Sequence, residues 1–282
     1  MEAEEGNFLS QKVRGTLVII GGNEDKEHEC TILRRVVALT GEEKARMIIM
    51  TIASRHQADT GRLYQAAFSR LGMTRVEVVS IRDRAETRSA DLARRLADAG
   101  GIFFTGGDQL RITSILGGSE LAYGLERAYR AGTVIAGTSA GASVMSRTMI
   151  VGGEEAGAPR NDAARMAPGL GLIDEVVVDQ HFAQRGRIGR LLSAIAQNPR
   201  MLGLGIDEDT AVVVSPRAQL EVVGSGCVTI VDAAGIVESN VSETSLGQPL
   251  ALFGVQLHLL PSGYRFDLST RQLLGQAKEN AG

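Results

Sequence analysis

Val134-Ile135-Ala136-Gly137-Thr138-Ser139-Ala140-Gly141-Ala142-Ser143 is the stretch from which the rest of the chain can be read. A short apolar run makes a buried strand, a glycine turn closes it, and the small residues beyond start a helix. Within it, Gly137-Thr138-Ser139-Ala140-Gly141 fits G-x-S-x-G. In that pattern a serine stands at the point of a sharp strand-to-helix turn, with its hydroxyl projecting from the end of a sheet. The first N–H groups of the following helix lack intrahelical acceptors and can face a developing negative charge. The pattern is short, and a plain turn of small residues satisfies it too. The surroundings must decide.

Upstream of the turn, strands and helices alternate. Residues 15–20 are a β-branched run closed by Gly21-Gly22, and residues 27–40 read as a helix with Ile32, Leu33, Val36 and Val37 on one face. Strands follow at 45–53, 75–81 and 102–105, separated by helices at 58–71 and 89–99; further helices span 110–116 and 121–130. This alternation predicts an α/β fold, a three-layer sandwich around a mostly parallel sheet. In such sheets ligands sit beyond the C-terminal strand ends. Gly21-Gly22-Asn23, Ala53-Ser54-Arg55, Gly106-Gly107-Asp108 and Gly137-Thr138-Ser139 all fall there. Gly21-Gly22-Asn23 lacks the spacing of a dinucleotide or P-loop motif and reads as a close turn. In Gly106-Gly107-Asp108-Gln109 the glycines let the backbone bend toward a ligand and offer N–H donors from a second loop.

Downstream, residues 152–171 form a glycine-rich, mixed-charge stretch, read as a long loop that is either a lid over a site or a surface excursion. A strand from Val176 then delivers His181 at its end; Arg185, Arg187 and Arg190 follow, on the way into a helix carrying Leu191, Leu192 and Ile195. Residues 201–206 are a buried strand leading to Asp207-Glu208-Asp209, and residues 211–214 read as its continuation after an interruption. From Gln219 onward come additional C-terminal β segments, and the last ten or so residues look frayed. The expected organisation is a flexible leader at 1–14, a single α/β catalytic domain at 15–275 and a polar tail at 276–282.

The chain's 282 residues suffice for a large core, and 44% hydrophobic with 22% charged residues is ordinary for a globular domain. A net charge of -3 argues against nucleic acid as partner. Cys30 and Cys227 stand alone, with no zinc or redox spacing. The acidic start has no apolar segment of signal-peptide type, and no apolar run is long enough to span a bilayer. A cytoplasmic protein without membrane association is expected.

A serine needs an adjacent base, and the base needs an orienting group. Of the four histidines, only His181 ends an apolar strand just before a helix. General base, structural histidine and, less readily, metal ligand are its readings, since no second histidine lies at ligand spacing. The orienting acid is open among Asp179, Asp207, Glu208, Asp209, Glu154 and Glu155, with Glu208 favoured for its reach. Asp179, two residues before His181, is poorly placed for its Nδ1, and the residues 202–206 strand could lie beside the elbow strand. The order nucleophile, histidine, acid departs from that of α/β-hydrolases. Arg185, Arg187 and Arg190 offer planar forks for a substrate carboxylate, or for a phosphate; a solvated basic helix start would look the same.

Five blocks together carry a resemblance: residues 15–22, 104–109 and 137–143, Asp179-Gln180-His181-Phe182, and residues 205–211. They resemble the cyanophycinases, serine exopeptidases of the peptidase E (aspartyl dipeptidase) family, over nearly the whole of 15–275. The resemblance implies a flavodoxin-like, class I glutamine-amidotransferase-like fold with a Ser139-His181-Glu208 triad. It implies an oxyanion hole from the N–H groups near Gly107-Asp108 and at Ala140, and a substrate site with Gln109, Asp179, Gln180, Arg185, Arg187 and Arg190. The implied substrate is cyanophycin, a polyaspartate with arginine joined to each side chain, cleaved to β-Asp-Arg dipeptides. Acidic groups such as Glu154, Glu155 and Asp162 are candidates for holding the substrate's arginine. The resemblance further implies a homodimer that needs no metal or organic cofactor. An aspartyl or isoaspartyl dipeptidase with the same triad is the competing enzyme. A small-molecule binding or regulatory protein on the same scaffold is the competing non-enzyme.

Overall fold

A computed structural model describes residues 15–41 and 44–277. The expected leader at 1–14 and residues 278–282 of the expected tail lie outside the described residues. The first half builds β1 (Leu17–Ile20), β2 (Arg46–Met50), β3 (Arg75–Val79), β4 (Gly101–Phe104) and β5 (Val134–Thr138). Between them run α1 (Thr31–Thr40), α2 (Gln57–Arg70), α3 (Ala90–Ala97), α4 (Gln109–Leu116) and α5 (Glu120–Arg130); the four-residue α6 (Ala140–Ser143) follows β5. These strands lie parallel in the order β1-β5-β4-β2-β3. The inner strands are apolar on both faces because both faces are covered, whereas edge strand β3 carries Arg75 and Glu77. On one side α1 and α2 insert Ile32, Leu33, Val36, Tyr64 and Phe68. On the other, Leu92, Leu96, Leu121 and Leu125 of α3 and α5 join a larger core.

The second half adds the hairpin β6 (Thr148–Gly153) and β7 (Ala164–Pro168), then β8 (Val176–Gln180), α7 (Ile188–Gln197), β9 (Leu202–Ile206), β10 (Thr210–Val214), β11 (Gln219–Gly224) and β12 (Cys227–Asp232). Short β13 (Glu238–Ser239) and β14 (Leu252–Phe253) pair with each other, before β15 (Gln256–Pro261), β16 (Tyr264–Asp267) and β17 (Gln272–Gln276). Among the described residues, β10, β11, β16 and β17 extend the main sheet antiparallel from β1 to nine strands. A second sheet, β15-β12-β9-β8, packs its Val176, Val178, Leu204 and Ile230 into the same core as Ile19 and Ile135.

Five expectations need correction. Residues 27–30 are not helical: the Asp25 carboxylate captures the N–H groups of Glu27, His28 and Cys30, and Cys30 sits at φ 50°. Residues 152–171 hold half of the β6–β7 hairpin rather than an unbroken loop. Residues 211–214 do not continue the preceding strand. The chain turns at Asp209 (φ 48°) and β10 pairs with β1, in the other sheet. Nor does the residues 202–206 strand lie beside the elbow strand; β9 pairs with β8 and β12. Finally, residues 272–276 are a paired strand, not a frayed end.

Candidate active site

At the end of β5 the backbone turns within one residue, and Ser139 takes φ 53°, ψ -112°. A non-glycine residue is held there only by surroundings that over-determine it. The surroundings are the flanking glycines. A Cβ on Gly137 would stand 2.4 Å from the Gly141 carbonyl oxygen, and one on Gly141 would stand 2.4 Å from that of Phe104. The Ser139 N–H donates to Ile20 (3.0 Å), and its carbonyl accepts from Ala142 and Ser143. Strand, turn and helix are thus locked at the sheet's C-terminal rim.

His181 is the residue after β8, also at positive φ (48°), with its N–H donated to the Gly21 carbonyl at 2.8 Å. Its Nε2 lies 3.0 Å from Ser139 Oγ and its Nδ1 lies 2.7 Å from Glu208 Oε1. With Nδ1 protonated and donating to the carboxylate, Nε2 presents a lone pair to the serine hydroxyl. The bond from His181, then a second from Asn23 Nδ2 (3.0 Å), holds the Glu208 carboxyl below the usual carboxylate range. The neighbouring acids do other work. Asp207 accepts the N–H groups of Ala183 and Cys227, and Asp209 accepts that of Asp25 and the Ser225 hydroxyl.

A second layer of support comes from a loop that looked like a bare turn. Residues 21–25 follow β1, and each touches the Ser-His-Glu constellation or its frame. A Cβ on Gly22 (φ +105°) would stand 2.3 Å from His181 Cε1, so the imidazole lies flush on bare backbone. Asn23 holds Glu208. Glu24 is buried at 2% exposure. Its carboxylate accepts the hydroxyls of Tyr64 (2.5 Å) and Thr138 (2.6 Å), the latter the residue before the serine. Desolvation, then the Glu24 charge, raises the Tyr64 pKa well above its ordinary value, so its hydroxyl remains a donor. The missed signal was in Gly21-Gly22-Asn23-Glu24-Asp25: two acids directly after a fully apolar strand, at a sheet's C-terminal end.

Beside Ser139 opens a cavity of about 370 Å³ with a polar lining that includes Gly107, Gln109, Glu155, Arg165, Gln180 and Arg185. Gln180 Oε1 lies 3.5 Å from Ser139 Oγ, and Gln109 Nε2 donates to the Ile150 carbonyl at 2.9 Å. The three arginines after His181 are not equivalent. Arg190 is buried and forks onto both oxygens of Asp179, itself 1% exposed. Arg187, also buried, donates to the Gln180 carbonyl (2.6 Å) and to Glu155 (2.7 Å). Both border the cavity, as do Gln109, Gln180 and Arg185, and both also hold the buried Asp179 carboxylate. Arg185 is exposed and pairs with Glu155 (3.1 Å). The bonds from Arg187, then Arg185, hold the Glu155 carboxyl low. Glu155 and Arg185 thus meet in the cavity, whereas Asp162 is turned to the Gly247 N–H. Arg165, on β7, was not anticipated because its stretch was read as loop. It has no carboxylate partner among the described residues.

Of the expected oxyanion donors, Asp108 is excluded. Its N–H donates to the Ala53 carbonyl (3.0 Å), and its side chain caps α4 by accepting from Leu110 and Arg111. Gly107 remains on that loop, bordering the Ser139 cavity, and Ala140 is the first residue of α6, where an N–H has no intrahelical acceptor.

Residues 17–220 match the model of peptidase family S51. The chain belongs to this family. A cyanophycinase of Trichormus variabilis is 41% identical over 265 residues, covering 94% of this chain and 89% of that protein. A cyanophycinase of Geminocystis herdmanii is 40% identical, covering 94% of this chain and 97% of its own length. Among solved structures, a peptidase from an acI-B1 Actinobacterium superposes with a TM-score of 0.63 at 22% identity, covering 88% of this chain and 97% of that one. At that identity the likeness shows the fold: the mixed α/β sandwich read from the alternation of strands and helices. As an S51 peptidase, the chain is an enzyme.

Proposed function

We propose that the chain is a serine exopeptidase that hydrolyses cyanophycin to β-Asp-Arg dipeptides through an acyl-enzyme on Ser139. The observation that carries this is the continuous hydrogen-bonded line from Ser139 Oγ through His181 to Glu208, in a chain about two-fifths identical to cyanophycinases over nearly its whole length. His181 Nε2 takes the hydroxyl proton as Ser139 attacks the backbone carbonyl of an aspartyl residue. Glu208 keeps Nδ1 protonated and stabilises the imidazolium. The N–H groups of Gly107 and Ala140 receive the oxyanion, worth about 10²–10³ in rate for each donor in comparable sites. His181 then protonates the leaving amine, and water attacks the ester by the same relay in reverse.

The cavity supports the substrate reading. Each cyanophycin unit carries a carboxylate and a guanidinium. Arg165 and Arg185 offer forks for the first, and Glu155 an acceptor for the second. About 370 Å³ lies within the usual range of sites for one small-molecule unit. The test is product analysis after incubation of purified enzyme with cyanophycin granules. Release of β-Asp-Arg by the native enzyme, lost in Ser139→Ala, is expected. Cleavage of simple aspartyl or isoaspartyl dipeptides with the polymer left intact would overturn the substrate assignment. Full activity in Ser139→Ala would overturn the nucleophile.

A further inference from the structure

The rim that carries Ser139 continues past it. One depression, about 530 Å³, is bordered by Ser54, Arg55, His56, Arg82 and Arg111. Another, about 720 Å³, is bordered by Arg55, Asp108, Leu110, Arg111 and Pro168. Shared Arg55 and Arg111 join them into one groove. The sheet explains its course. In the spatial order β5-β4-β2-β3, Ser139 follows β5, Gly107 to Gln109 follow β4, Ser54 to Gln57 follow β2, and Ser80 to Arg82 follow β3. All four strands are parallel, so their C-terminal ends share one rim. The groove therefore starts at the loop that also borders the Ser139 cavity and runs to the sheet edge.

Its charge is net positive, with three arginines against Asp59 and Asp108. Arg111 is fixed by donating Nε to the Ile52 carbonyl (2.9 Å) and Nη2 to that of Arg82 (3.1 Å), and no carboxylate neutralises it. Arg55 and Arg82 are exposed, with no ion pair among the described residues. The acids nearby are engaged: Asp108 caps α4, Asp59 pairs with Arg62, and Glu86 accepts the backbone N–H of Arg82. In a chain of net charge -3, three guanidinium groups without ion pairs in one groove are a feature to be explained. Guanidinium groups select planar carboxylates.

We propose that this groove holds the part of an aspartyl polymer not yet cleaved, its carboxylates on Arg55, Arg82 and Arg111. The proposal rests on the cyanophycin reading above. From β5 to β3 the rim crosses three inter-strand gaps, about 14 Å at ~4.8 Å each. An extended backbone rising ~3.4 Å per residue spans that with about four units. The groove thus makes the enzyme prefer long chains. Exposed Leu110 gives the alkyl part of substrate arginines an apolar surface.

The test compares kcat/KM for polymeric cyanophycin with that for the two-unit substrate (β-Asp-Arg)₂. The doubly substituted Arg55→Glu, Arg82→Glu protein should lower the polymer-to-short ratio at least tenfold, mainly through KM for the polymer. Arg55→Lys should retain most of the native ratio. Native-like melting of the single Arg55→Glu and Arg82→Glu proteins establishes that they are folded. An unchanged ratio, or native enzyme with no length preference, overturns the groove while leaving the peptidase reading intact. Native enzyme that cleaves neither substrate overturns both. Binding of inorganic polyphosphate by Ser139→Ala as tightly as cyanophycin would make the groove a general anion site and overturn the assignment.

Discussion

Gly22→Ala is the sharpest test of how the imidazole is held. The added Cβ would stand 2.3, 2.5 and 3.0 Å from Cε1, Nε2 and Nδ1 of His181. Ordinary contact begins near 3.4 Å, so the ring must retreat by about 1 Å. Nε2 now lies 3.0 Å from Ser139 Oγ, and a shift of that size in almost any direction breaks the bond. Misplacement by 1 Å costs about 10² in rate, or ~2.7 kcal/mol of barrier. Alanine at φ +105° also strains the backbone, by ~1–2 kcal/mol. Gly132 provides the control. It has the same φ, +105°, yet a Cβ there meets nothing within 4 Å. Both variants should melt a few degrees below the native enzyme, but only Gly22→Ala should lose activity. The assays are β-Asp-Arg release from cyanophycin and the rate of Ser139 labelling by a fluorophosphonate. Gly22→Ala within about threefold of native, or Gly132→Ala equally impaired, would refute the collision argument.

Three further outcomes follow from the same contacts. Tyr64→Phe removes a buried donor to the Glu24 carboxylate and should cost about 1.5–3 kcal/mol in urea unfolding; a loss below ~0.5 kcal/mol would mean that Glu24 is otherwise satisfied. Arg190→Ala leaves the buried Asp179 carboxylate with only its longer contact to Arg187 (3.5 Å) and should cost about 3 kcal/mol, whereas Arg185→Ala, on the surface, should cost under ~1 kcal/mol; equal effects would contradict the clamp. Glu208 has a folded pKa held below its ordinary 4.5. Its contribution to stability is therefore fully present above pH 4.5 and lost as pH falls through the lower folded value. The melting-temperature gap between native enzyme and Glu208→Gln should hold steady from neutral pH to about 5 and close in more acid solution; a gap that widens on acidification would reverse the sign of the argument.

The parallel half of the fold was readable because it is written in local terms. Its inner strands are runs of apolar residues, and each helix shows a 3.6-residue stripe that its neighbours bury. The second half was less so, because its pairings are decided between distant segments. Residues 211–214 look like more of the strand before them. What separates them is the turn at Asp207 to Asp209, whose side chains take backbone N–H groups from residues 183, 227 and 25. No window of sequence contains those donors. The same limit hid β7, where Arg165 stands in a stretch whose glycines and charges look like loop, while its partner strand precedes it by more than ten residues.

The site divides along the same line. Residue types that chemistry requires, a serine on a glycine turn and a histidine after a strand, could be picked from the chain. The choice among three consecutive acids could not be derived from spacing, since each has a carboxylate and only the path of the backbone decides which one reaches Nδ1. The arginines differ for a related reason. Arg185, Arg187 and Arg190 look alike in sequence, yet Asp179 on β8 points inward and engages two of them, leaving Arg185 outside with Glu155. Asp179 and Gln180 are adjacent on one strand, and Arg187 Nη1 reaches both side chains, at 3.5 Å to Asp179 Oδ1 and 3.3 Å to Gln180 Oε1. The buried clamp on Asp179 therefore fixes the strand whose next residue lies 3.5 Å from Ser139 Oγ and whose end presents His181. Mobility of His181 is thus restrained from both sides: by arginine–aspartate pairing behind its strand, and by the bare backbone of Gly22 against its ring.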